Sequence, residues 1–193
     1  MEKLLHTGPS DLPDQVWLNI LSYLSADNLL VWTSLTVEEQ AEFGLFSKLY
    51  NLCGDKALWR RVIWEGGNVK PIVLRKLVRF LGPYTQVIRI HGGLAKAKLL
   101  IPESLLHSIQ TRCTSLSELH LINCSLQYHD APLRKLPRSL ERLVLNNIVW
   151  KNLPVVPTTH GSPFFRLSKR LPCLKWVGLS LSVVGRKKVL IEV

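Results

Sequence analysis

Acidic residues are scarce in this chain: 14 Asp and Glu stand against 25 Lys and Arg over 193 residues, a net charge of +11. Cysteine is also sparse, at Cys53, Cys113, Cys124 and Cys173, and no two form a CxxC pair. That spacing excludes the common zinc and dithiol redox motifs and reads as reduced thiols in the cytosol or nucleus. No window of about 18 residues is free of charge, so no transmembrane helix is expected. The opening MEKLLHTGPSD has no long apolar core of a signal peptide, which argues against secretion. Catalytic signatures are missing as well: there is no GxSxG elbow, no Gly-rich phosphate loop and no HExxH. The six histidines are dispersed, and neither a metal nor another cofactor is expected.

What is present suits a folded protein of one or two domains. Apolar residues make up 47% and charged residues 20%, enough to build a core. The charge is unevenly placed. Residues 1–65 hold five Lys/Arg against nine Asp/Glu, and residues 66–193 hold twenty against five. The step from −4 to +15 suggests two parts with different partners. The basic part is either a solvated surface or one that attracts acidic proteins or nucleic acid.

The stretch DLPDQVWLNILSYL, residues 11–24, predicts a helix that starts at Pro13 with Asp14 in its first turn. At 100° per residue, Val16, Trp17, Ile20, Leu21 and Leu24 cover an arc of about 140°, which Leu18 and Tyr23 widen to about 220°. A surface helix needs a stripe of little more than about 100°, so this one needs cover on more than one side. Further helical patterns follow near Asn28 and over EEQAEFGLFSKLYNL, with Phe43, Phe46, Leu49 and Tyr50 apolar, before Leu58, Trp59 and Val62 close the unit. A core of about 50 residues is marginal alone.

These residues resemble an F-box. Leu12-Pro13, VWLNILSYL, DNLL and Leu58-Trp59 stand in that family's order. The resemblance implies a domain over 11–63 that binds the S-phase kinase-associated adaptor and, through it, a cullin ubiquitin ligase. By the same resemblance Leu12, Pro13, Val16, Ile20 and Leu24 meet the adaptor, with Leu30 and Trp59 in core or interface. The chain departs from the family by an insertion of about ten residues near 31–44, and Leu49 stands where the family places a Trp.

A connecting helix is expected within 64–84, from Pro71 to Gly82-Pro83, with Leu74, Leu77, Val78 and Leu81 on one stripe. Beyond it a pattern recurs, L-x-x-L-x-L-x-x-N/C-x-L. LSELHLINCSL fills every slot; LERLVLNNIVW and LKWVGLSLSVV come near; TQVIRIHGGLA is a weak copy. Their starts at 85, 116, 140 and 174 leave two steps above the usual span of roughly 20–29 residues, and the surplus is assigned to loops such as PVVPTTHGSPF. The pattern is similar to leucine-rich repeats. The fold class expected is a small helical F-box-like domain followed by a short curved leucine-rich-repeat solenoid over 85–193 with a parallel sheet. In such a stack the alternate strand residues face outward: Arg89, His91, Glu118, His120, Arg142, Asn146 and Trp176 are the candidates for binding a protein substrate, with Val87, Ile122, Val144, Gly178 and Ser180 among them. Cys124, on a ladder slot, reads as core. GRKKV near the end reads as a solvated basic tail or a nuclear import signal, and the tail either forms a last strand or belongs to a truncated chain.

The F-box/leucine-rich-repeat resemblance implies a non-catalytic substrate receptor that promotes ubiquitination by proximity. A nucleic-acid-binding repeat protein, suggested by the +15, and a scaffold without ligase role are the alternatives. Nucleic acid is the weaker reading, because aromatic residues do not interleave with the basic ones in any RNA-binding motif. The expected location is cytoplasmic, nuclear or both.

Overall fold

The computed structural model describes residues 9–34, 44–65, 71–93, 98–127, 136–151, 170–183 and 186–192. The chain divides into two compact units, Met1–Leu58 and Trp59–Val193.

Among its described residues the first unit holds the α-helices α1 (Asp14–Leu21), α2 (Ala26–Trp32) and α3 (Gly44–Leu52). Pro13 takes the position before α1 with extended backbone, and its carbonyl accepts from the Val16 and Trp17 amides at 3.0 and 3.3 Å. The helix ends three residues earlier than its pattern suggests. Ser22 Oγ donates to the Asn19 carbonyl at 2.6 Å, the local competition with helical bonding to which serine is prone. Tyr23 and Leu24 therefore leave the helical face. Lys48 of α3 reaches back to the start of α1, donating to the Leu12 carbonyl at 2.6 Å and pairing with Asp14 at 3.1 Å. Trp32 of α2 stacks on Phe46 of α3 with ring centroids 5.3 Å apart. Leu21, Ala26, Leu29, Leu30 and Leu49 are buried. The insertion read near 31–44 falls mostly on residues outside those described, as does Phe43.

The second unit carries the strands β1 (Arg61–Glu65), β2 (Val87–His91), β3 (Leu99–Ile101), β4 (Glu118–Ile122), β5 (Cys124–Gln127), β6 (Arg142–Lys151), β7 (Trp176–Val183) and β8 (Arg186–Glu192). They form a single sheet. Among the described residues it is accompanied by α4 (Pro71–Leu77), which tightens into a 3₁₀ turn over Val78–Phe80, and α5 (Glu103–Arg112). The order β1-β2-β4-β6-β7 makes one panel, and β3-β5-β6 a second that shares β6. All pairs are parallel except β7 with β8.

This corrects the expected architecture. The structure is a parallel α/β fold around one curled, half-barrel-like sheet, and a helical box followed by a repeat solenoid is not what it shows. Two observations carry the correction. The sheet begins at Arg61, inside the range assigned to the helical box, because RVIWE alternates strictly: Val62 and Trp64 are buried while Arg61 is exposed. It ends with an antiparallel strand rather than another parallel turn, and β8 covers the outer edge of β7. The loop PVVPTTHGSPF lies outside the described residues.

The panels meet at a corner set by two asparagines. Asn123 and Asn147 hold φ of 55° and 53°, a left-handed conformation that asparagine tolerates better than most side chains. At Asn147 the register between β6 and β7 slips by one residue, as at a bulge. Ile88, Ile90, Leu119, Leu121, Leu143, Leu145 and Val177 point to the core side, where they join Leu105 and Ile109 of α5 and Leu74 and Leu77 of α4 among the buried residues. Cys124 sits at the corner, fully buried, with Sγ 3.2 Å from the Ile122 carbonyl and 3.8 Å from that of Ile90.

Candidate functional site

Two surfaces, one on each unit, gather the residues singled out in the sequence. On the first unit α1 leaves an apolar edge uncovered. Val16 is 39% exposed, Ile20 45% and Tyr23 90%; Leu12, Pro13 and Val31 are exposed as well. Helix α1 buries Leu21 inward while Val16 and Ile20, one turn apart, face out. Leu24 is half-buried. Leu30 and Trp59 are placed differently: both are buried, and they act as core rather than as a surface that a partner can meet. Trp59 instead stacks on Phe80, centroids 4.2 Å apart.

On the second unit, strand alternation and register build a grid. Arg61, Val87, Glu118, Arg142 and Trp176 make one row across β1, β2, β4, β6 and β7. Ile63, Arg89, His120, Val144 and Gly178 make the next. His91, Ile122, Asn146 and Ser180 belong to a third, on one strand residue in two. The substrate candidates Arg89, His91, Glu118, His120, Arg142, Asn146 and Trp176 thus share one face. Arg61 and Ile63 join them: RVIWE carries the period of two of a strand although it stands at the end of the stretch expected to be helical.

The centre of the face is an ion-pair cluster. Arg89 donates to Glu118 Oε2 at 2.8 Å, and His120 Nε2 lies 3.6 Å from the same oxygen. Arg89 holds the Glu118 carboxyl below its ordinary range, against a smaller opposing effect of burial. Burial pushes the His120 imidazole down, helped by Arg89 and opposed by Glu118. Arg89 Nε and His120 Nε2 are screened from solvent and have no hydrogen-bond partner. In the row of Glu118 the Arg142 guanidinium lies over the Trp176 ring, 5.7 Å from its centroid, and Trp176 is 47% exposed. Lys175 and Glu141 pair with each other at 2.9 Å.

Among the described residues no group of three or more His, Cys, Asp or Glu is placed to hold a metal ion, and no described helix is long and apolar enough to cross a membrane. The chain matches no family model and no curated protein.

Proposed function

We propose that this protein is a non-catalytic receptor subunit: it docks through the apolar edge of its N-terminal helical unit and presents a protein substrate on the sheet face of the second unit. The docking partner is the S-phase kinase-associated adaptor of a cullin ubiquitin ligase, as the F-box-like order of Leu12-Pro13, VWLNILSYL, DNLL and Leu58-Trp59 suggests. One observation carries the reading. Leu12, Val16, Ile20 and Tyr23 stand exposed together around a single short helix in a unit that has Leu21, Leu29 and Leu30 available for its own core. Exposed apolar surface of this kind marks protein interaction sites. The mixed charge of the sheet face, with Glu118 at its centre and Trp176 at one end, favours a protein on that side.

Co-purification of the full chain with the adaptor tests the proposal. Wild type is expected to hold the adaptor through gel filtration, and Val16→Asp with Ile20→Asp to lose it with an unchanged circular dichroism spectrum. A wild-type chain that elutes without the adaptor removes the ligase reading.

A further inference from the structure

Which segment of a substrate would the sheet face accept? Two guanidinium groups of the first row, Arg61 and Arg142, make no ion pair with another described residue; Arg89 is committed to Glu118, the one carboxylate whose side chain is described on the face. Arg61 and Arg142 stand three strands apart along β1-β2-β4-β6. At about 4.8 Å per strand that is roughly 14 Å, the span of about four extended residues. Trp176 lies one strand further and is exposed. Its neighbour Gly178 leaves the ring room to fold over the sheet: a Cβ there would stand 2.4 Å from the Trp176 ring.

We propose that this face binds an extended acidic segment, crossing the strands, with two carboxylates about four residues apart against Arg61 and Arg142 and an apolar side chain against Trp176. The proposal rests on the sheet face being the substrate side and gives that substrate a class. Glu118, between the two arginines, sets the spacing by repelling a carboxylate from the middle. It also argues against a nucleic-acid strand, whose phosphates would pass over the carboxylate and whose bases would find one exposed ring to stack on rather than several.

The test is fluorescence polarisation with the full chain at low salt. The probe is a labelled peptide carrying two glutamates four residues apart followed by phenylalanine. Comparison probes have lysine in place of glutamate, or the glutamates adjacent, and a labelled oligothymidylate is the fourth. Binding of the first probe, at least about tenfold weaker for the lysine probe and for Arg142→Glu and Trp176→Ala, is expected. Weaker binding of the adjacent-glutamate peptide by wild type supports the spacing even where a variant fails to fold. Equal binding of the acidic and lysine probes, no binding of the acidic probe at millimolar protein, or tighter binding of the oligonucleotide overturns the proposal. Adaptor co-purification on the same preparations keeps the two readings apart: its loss with peptide binding retained sinks the ligase assignment alone, and the converse sinks this one alone.

Discussion

The side-chain amide of Asn147 donates to the side-chain oxygen of Asn123 at 2.7 Å, joining the two non-glycine residues with positive φ among those described. The bond crosses the corner where the sheet turns, and the Asn123 amide also donates to the Asn146 carbonyl at 2.9 Å. Asn123→Ala loses the side-chain acceptor and places a Cβ-bearing residue without local compensation in the left-handed region. A loss of roughly 1–2 kcal/mol is expected in urea unfolding, and Asn123→Gly should lose less, because glycine tolerates the backbone. Equal losses would show that the hydrogen bond alone carries the effect.

Gly92 stands against the same corner. A Cβ there would lie 2.2 Å from the Asn123 carbonyl oxygen and 2.9 Å from Leu99 Cβ, while the Gly92 amide donates to the Ile122 carbonyl at 2.7 Å. Backbone cannot swing aside as a flexible side chain can. Gly92→Ala is expected to cost about 2–3 kcal/mol, the upper range for overpacking, measured as a lowered urea midpoint. A variant as stable as wild type would mean that β2 and β4 can separate at their ends.

The Arg89–Glu118–His120 cluster predicts loss of stability in acid. Glu118 has its pKa lowered in the fold, so its contribution is full above the unfolded value near about 4.3 and disappears as pH falls through the folded one. His120 is also lowered: the unfolded chain takes its proton near about pH 6.5, the folded chain only further down. Stability therefore falls as pH drops below about 6.5 through His120, and again at lower pH through Glu118. His120→Gln should flatten the first part of the urea-midpoint profile relative to wild type. Parallel profiles would show that His120 titrates alike in both states.

Thiol reactivity should sort the four cysteines by burial. Cys53, Cys113 and Cys124 are buried, and desolvation pushes each thiol up to about 11, so little reactive thiolate exists at neutral pH. Cys173 is exposed. A disulfide reagent at pH 7.5 is expected to titrate one fast thiol in the native chain, lost in Cys173→Ser, and four in denaturant. Two or more fast thiols would place an opening of the core on the timescale of the assay.

Much of the local structure was legible in the chain itself. Alternation in VIRIH and ELHLI placed Ile88, Ile90, Leu119 and Leu121 inward and left Arg89, Glu118 and His120 on the other side, because successive strand residues must point to opposite faces. Pro71 and the stripe through Leu74 and Leu77 marked a helix for the same kind of reason. The apolar excess of α1 could be counted before its surroundings were known.

Pairing partners and burial were decided only in three dimensions. No local pattern says that Arg61–Glu65 joins β2, that Arg186–Glu192 runs antiparallel to β7, or that the sheet turns at Asn123 and Asn147, since each depends on backbone bonds between residues far apart in the chain. Leu30 and Trp59 carry the same apolar signal as Val16 and Ile20, yet the first two lie in the core and the second two face out. Hydrophobicity sets how much surface a residue gains by leaving water. Which residues leave it is settled by the packing of the whole chain, and that packing put one apolar edge and one charged sheet face on the outside.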